Sequence, residues 1–198
     1  TMSIRRVLEE LSTHEQTSPS LNQNYNLKEL FQREINHQRV EDELVNQYLA
    51  SPNKLKFFNN LTIVLFPKKS GGTRTESFED YPDNNPTIPY ETNDQFDKEF
   101  DQLNRSCFGG VQLSTSEGGI GRLRWDSLRV EAVAVDGQHR LQALNHWFNK
   151  TKHKALSELE KNTNIPVIFV LLHEKAGLKD TRPINVISRE IFTDLNKN

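Results

Sequence analysis

The chain has 198 residues, 26% charged and 34% hydrophobic, with 25 Lys and Arg set against 27 Asp and Glu. This is enough polypeptide for one domain with a buried core, and a formal charge of −2 gives no global pull toward nucleic acid or membrane while leaving room for a local basic face. A single cysteine, Cys107, excludes an internal disulfide and a cysteine-based zinc site and suits a cytoplasmic setting.

The N-terminal TMSIRR lacks the apolar region of a secretory signal, and Thr1 ahead of Met2 reads as an expression scar. IRRVLEEL, residues 4–11, predicts a short helix that TSPSLNQN then interrupts. From Leu27 to Ala50 the apolar residues Leu27, Leu30, Phe31, Ile35, Leu44 and Tyr48 recur at helical spacing among charges. They predict one or two amphipathic helices, the second ending before Ser51-Pro52. Residues 1–55 are therefore expected to form a helical N-terminal arm.

The expected α/β core runs from residue 56 to 198. KFFNNLTIVLFP, residues 56–67, is a dense β-branched and aromatic run closed by a proline, the pattern of a buried strand. The next segment changes character, with prolines, glycines and an excess of Asp and Glu, and predicts a loop insertion over 68–105 with a short helix near Phe96–Leu103. Such an acidic stretch is ordinarily a solvated surface, with a lid over a site or a shield against nucleic acid as the alternatives. Short strands are then expected near 110–114, 121–125 and 130–135, joined by glycine turns.

A helix over 137–149 carries Leu141, Leu144 and Phe148 on one stripe. KALSELEKN predicts a second short helix and IPVIFVLL, residues 165–172, another buried strand. Strand 130–135, helix 137–149 and strand 165–172 together suggest a βαβ unit. INVISREIFTDLN places Ile184, Ile187, Ile191 and Leu195 at helical spacing, so close to the last residue that the domain is expected to be cut at its C-terminal end. The longest apolar runs, LTIVLF and VIFVLL, fall far short of the ~20 residues that span a bilayer, so no membrane role is expected.

The chemistry concentrates in VEAVAVDGQHRLQALNHWF, residues 130–148, where an apolar strand meets Asp136, Gly137, Gln138, His139 and Arg140 just as a helix begins. Asp136 stands at the carboxyl end of a strand, where α/β folds place their sites. Gly137 lets backbone approach a ligand without a Cβ in the way. The first N–H groups of the helix have no internal acceptors and favour an anion. Arg140 adds a planar fork suited to two phosphate oxygens. Gln138 can orient a water, His139 can exchange a proton near neutral pH, and Asp136 can face a divalent ion such as Mg²⁺. A plainer reading also fits the spacing: Asp136 caps the helix, Arg140 pairs with it, and nothing binds.

Two other features invite a role. Arg122 and Arg124, with Arg129, flank Trp125 in an expected hairpin, an arrangement that can follow a nucleic-acid backbone and stack a base, or can simply be a solvated strand face. His139, His146 and His153 recur every seven residues. On a helix that is about 10 Å of rise per step, too far for one metal ion.

DGQHRLQAL matches the signature of the DGQHR-domain family, which includes the DndB-like proteins associated with DNA phosphorothioation. FFNNLTIVLFP resembles that family's strand ahead of its insertion, GGVQL its glycine-led segment, and REIFTDLNKN its Phe-x-x-Leu-Asn helix, so the resemblance covers most of the chain from about residue 56. It implies a core similar to the ParB/sulfiredoxin group: α/β (α+β), with a mixed sheet. It also implies nucleotide binding, with ATP or GTP and Mg²⁺ at Asp136, Gly137, Gln138, His139 and Arg140, and with Asn196 as a further contact. The implied setting is DNA modification or defence, with DNA and other proteins of such a system as partners. Two activities are consistent with this, hydrolysis of the nucleotide and non-catalytic DNA binding by a transcriptional regulator. Sulfiredoxin's own loop reads Phe-Gly-Gly-Cys-His-Arg, but here CFGG at 107–110 has the wrong order and Gln138 occupies the thiol's place. Thiol chemistry is therefore not expected, and Cys107 is read as a small, semi-buried side chain.

Overall fold

The computed structural model describes residues 1–13, 34–51, 59–69, 73–78, 104–115, 121–151 and 164–197. They form mixed helix and strand with mixed sheets. The organising element is β3, Leu61–Pro67, in which every residue is buried. A strand apolar on both faces is stable only with hydrogen-bonded neighbours along both edges, and it therefore takes an interior position. On one edge it pairs antiparallel with β7, Val130–Asp136, and on the other parallel with β9, Val167–Val170. A short strand β2, Leu11–Ser12, adds parallel to β7 and completes the order β2-β7-β3-β9.

This arrangement corrects the expected βαβ unit. With β3 between them, antiparallel to one and parallel to the other, β7 and β9 run in opposite directions. The expected strand 165–172 is also divided. Asn164–Ile165 forms β8, which pairs antiparallel with β1, Met2–Ser3, and Pro166 breaks the ladder because it has no N–H to give. Its carbonyl instead accepts from Leu61 N–H at 3.0 Å.

The N-terminal segment is more than a helical arm. Helix α1, Ile4–Glu10, stands between β1 and β2, with Ile4 and Val7 fully buried, so both ends of this helix are stitched into sheets. Ser3 caps α1 by accepting from Arg6 N–H. The expected helical region 27–50 is described from residue 34 onward. Helix α2 starts at His37–Arg39 and continues as a wide π-helix over Val40–Leu49, ending before Ser51-Pro52 as the sequence predicts. Expectations for residues 14–33, for Phe96–Leu103 and for KALSELEKN fall outside the described residues.

The expected insertion 68–105 overlaps a strand that its composition hid. β4, Asn104–Phe108, opens an antiparallel meander with β5, Val111–Thr115, and β6, Gly121–Trp125. Gly109 and Gly110, both at positive φ, make the two-residue turn between β4 and β5. Within the same insertion Phe78 is buried edge-on against Phe108, at 5.3 Å between ring centroids. Arg74 is buried against Glu131 of β7 with Nη2–Oε2 at 2.6 Å. The meander leans on the main sheet through Trp125, whose ring centroid lies 5.4 Å from that of Phe169 in β9.

Helix α3, Gln138–Thr151, leaves β7 at the glycine turn and packs against α1 and α2. Leu141, Ala143, Leu144 and Trp147 are buried in the common core, with Phe148 packed at its edge. Helix α4, Ile184–Leu195, buries Ile184 and Ile187 and packs on β7, while Leu195, the last member of its stripe, is exposed. Among the described residues no helix is long and apolar enough to cross a membrane.

Candidate functional site

The site begins with an irregularity in the ladder. Ile63 of β3 pairs with Ala134 of β7, but Thr62, the next residue along, pairs with Asp136, so Val135 is an extra residue and β7 bulges there. A bulge bends its strand and re-aims the side chains beside it. Here it sets the direction of Asp136 at the carboxyl end of β7.

Gly137 follows at φ +82°, the left-handed region that side chains with a Cβ avoid. It is needed for space as well as for conformation. A Cβ at this position would lie 2.5 Å from Leu61 Cδ2 and 2.8 Å from Arg140 Nη2. The Arg140 guanidinium thus lies against the glycine where a side chain would otherwise stand. Gly137 also starts the helix, its carbonyl accepting from Leu141 N–H at 2.9 Å.

Arg140 is held from two sides. Its Nη2 donates to the Asn60 carbonyl at 3.0 Å and to Asp136 Oδ2 at 3.1 Å. The plainer reading of the turn is therefore half realised: Arg140 does pair with Asp136. The carboxylate of Asp136, 42% exposed, pairs with Arg140 and with no helix N–H among the described residues. Gln138 is 93% buried, and its amide nitrogen has no hydrogen-bond partner among the described residues; the same is true of Arg140 Nε. An unmatched buried donor costs about 1–3 kcal/mol. Two of them beside the start of a helix form a donor-rich corner that no acceptor among the described residues satisfies.

His139 has a different environment. Its Nε2 accepts from the backbone N–H of Asn36 at 3.0 Å, so that nitrogen carries a lone pair and the ring is neutral. Asn36 in turn caps α2, its Oδ1 accepting from Arg39 N–H at 2.9 Å. Seven residues along α3, His146 Nε2 approaches Glu41 Oε1 of α2 at 3.9 Å. The seven-residue histidine spacing therefore marks the side of α3 that receives α2; His153 lies outside the described residues.

These residues open into a cleft of about 300 Å³ lined by Arg39 and Leu44 of α2, Val135 through Arg140, and Phe192 and Asn196 at the end of α4. Every residue expected at the nucleotide site lines it, Asn196 included. Asn196 Nδ2 donates to the Phe192 carbonyl at 2.8 Å, which closes the last turn of α4 beside the cleft. Sequence reasoning missed Arg39, Leu44, Val135 and Phe192 as lining residues. Phe192 had a signal, because it stands one helical turn before Asn196 and so shares its face. For Arg39 there was none, since nothing in the sequence docks α2 on α3.

Among the described residues no three His, Cys, Asp or Glu side chains gather as a metal cluster, and the cleft lining holds one carboxylate, Asp136. That donor set suits a Mg²⁺ that arrives with a polyphosphate and takes most of its ligands from phosphate and water. It does not suit a resident ion. Arg122, Arg124 and Trp125 sit in β6 of the meander and do not line the cleft. All three are half-buried, and the Trp125 ring packs on Phe169, which makes it a bridge between sheets. Cys107, in β4, is half-buried as expected.

Compared with models of protein families, with curated proteins and with solved structures, the chain matches none of them.

Proposed function

We propose that this cleft binds the phosphates of a nucleoside triphosphate, ATP or GTP, and that the chain is a DGQHR-type domain of ParB/sulfiredoxin-like fold serving DNA modification (phosphorothioation) or defence. The observation that carries this reading is convergence. The glycine turn after β7, the start of α3, the two unmatched donors on Gln138 and Arg140, and Asn196 from the far end of the chain all meet in one cleft.

On this reading the residues take the following roles. The helix start and Arg140 take phosphate oxygens, with Gly137 leaving room for the Arg140 guanidinium against the turn. When Mg²⁺ accompanies the nucleotide it supplies charge neutralisation at the phosphates, and Asp136, the carboxylate among the described lining residues, would hold it. Phosphoryl hydrolysis asks chiefly for positioning and charge stabilisation. Gln138, with its unmatched amide, is the side chain suited to orient a water. His139 keeps α2 in place through Nε2, so any proton it handles in the cleft passes through Nδ1. Leu44, Val135 and Phe192 give the cleft an apolar side against which the nucleoside can pack.

Titration with ATP and GTP, each with Mg²⁺, followed by phosphate release, tests this on wild type and Arg140→Ala. A charge-assisted hydrogen bond to phosphate is worth about 1.5–3 kcal/mol, so the variant is expected to bind about 10- to 100-fold more weakly. Unchanged affinity in a folded Arg140→Ala protein refutes the phosphate assignment. Steeply salt-dependent binding of duplex DNA with no nucleotide effect would instead make the chain a non-catalytic DNA-binding regulator.

A further inference from the structure

Arg39 is the side chain in this cleft that the phosphate reading does not use. It comes from the first turn of α2, and the DGQHR word gives no hint of it. Three observations bear on it. First, its guanidinium is only lightly committed. Nε donates to Glu43 Oε2 at 3.2 Å, an exposed i, i+4 pair, and among the described residues neither terminal nitrogen has a partner. Pairs of that kind contribute roughly 0.3–0.5 kcal/mol and exchange readily for a better acceptor.

Second, the backbone of Arg39 is fixed to the site although its side chain is not. Arg39 N–H donates to Asn36 Oδ1, and Asn36 N–H donates to His139 Nε2, one residue before Arg140. Two hydrogen bonds thus set where Arg39 enters the cleft relative to the glycine turn. Immediately after it the helix widens into its π-form at Val40, an irregularity that proteins often keep at functional sites.

Third, the charge balance of the lining favours it. Among the described residues the cleft lining contains Asp136, Arg140 and Arg39 as its charged side chains, with His139 neutral. Asp136 cancels Arg140, to which it is bonded, so without Arg39 the side chains lining the cleft sum to zero. A helix start and one neutralised arginine can hold a single phosphate. A di- or triphosphate brings one or two further negative charges, which a second protein cation can share with the Mg²⁺ that accompanies the nucleotide.

We propose that Arg39 is a second phosphate ligand, that it leaves Glu43 to take the distal phosphates, and that it makes this site selective for nucleoside di- and triphosphates over monophosphates. The proposal rests on the phosphate reading of the Asp136–Arg140 turn.

The test is calorimetric titration of AMP, ADP and ATP, with Mg²⁺, into wild type, Arg39→Ala, Arg39→Lys, Glu43→Gln and Arg140→Ala, with a thermal melt of each to confirm folding. Arg39→Ala is expected to weaken ATP and ADP at least 10-fold and AMP less than 3-fold. Arg39→Lys should recover part of the loss, because it keeps the charge and loses the fork. Glu43→Gln, which frees Arg39, should bind ATP as tightly as wild type or a few-fold tighter. Equal weakening of all three nucleotides by Arg39→Ala, or none, overturns the proposal. If Arg140→Ala alone abolishes binding while Arg39→Ala keeps wild-type affinity for ATP, the phosphate reading stands and this inference falls. If wild type binds none of the three nucleotides, both fall together.

Discussion

Gly137→Ala is the sharpest probe of how the site is built, because one added methyl group meets three separate constraints. The backbone at φ +82° is left-handed, which costs a residue with a Cβ roughly 1–2 kcal/mol. The new Cβ would stand 2.5 Å from Leu61 Cδ2, and Leu61 is fully buried in the central strand. It would also stand 2.8 Å from Arg140 Nη2, which Asn60 and Asp136 hold in place. Overpacking of this kind costs about 1–3 kcal/mol. The sum is a destabilisation of about 2–5 kcal/mol, measurable by urea denaturation at unchanged m-value. A second variant separates the contributions. In an Arg140→Ala background the guanidinium is gone, so the Gly137→Ala penalty should fall by the part due to that contact while the conformational and Leu61 parts persist. A Gly137→Ala protein within 0.5 kcal/mol of wild type, judged against the usual scatter of neutral surface substitutions, would refute both the strained turn and the account of the site that rests on it.

Two further predictions concern charges away from the cleft. Arg74 is 2% and Glu131 20% exposed, so Arg74→Met strands a largely buried carboxylate and should cost about 3 kcal/mol, whereas Arg74→Met/Glu131→Met together should cost clearly less than Arg74→Met alone. A double variant worse than the single, by urea denaturation, would refute the pair as the source of the effect. Hydrogen bonds from the Arg182 side chain, and then from its backbone N–H, hold the Asp180 carboxyl below its ordinary value of 3.8. A lowered folded-state value means the contribution is present above the unfolded value and is lost as pH falls through the folded one. NMR titration should therefore find Asp180 deprotonating at lower pH than a free aspartate, and Arg182→Ala should move it upward. No movement in the variant would rule out Arg182 as the cause.

What the sequence determined is whatever depends on near neighbours. The β-branched and apolar run at 61–66, interrupted only by Thr62, predicts an interior strand, and the stripe Leu141, Leu144, Phe148 predicts a helix with one packed face. The change of period at Asp136-Gly137 located the polar turn to the residue. The spacing of Ile184, Ile187 and Ile191 likewise gave α4. Tertiary structure decided what lies across the sheet and between helices. β1, β2 and β8 are two residues each, too short to leave a period, and they exist because β7 and each other supply their hydrogen-bond partners. The direction of β9 relative to β7 depends on β3 lying between them, and no local pattern encodes that. The bulge at Val135 arises from the register between two strands more than sixty residues apart and can be seen only once they are paired. The cleft is of the same kind. Its glycine, amide and guanidinium are adjacent in the chain and were legible together, but Arg39 and Phe192 reach it only because α2 and α4 pack where the long-range contacts of α3 and β7 hold them.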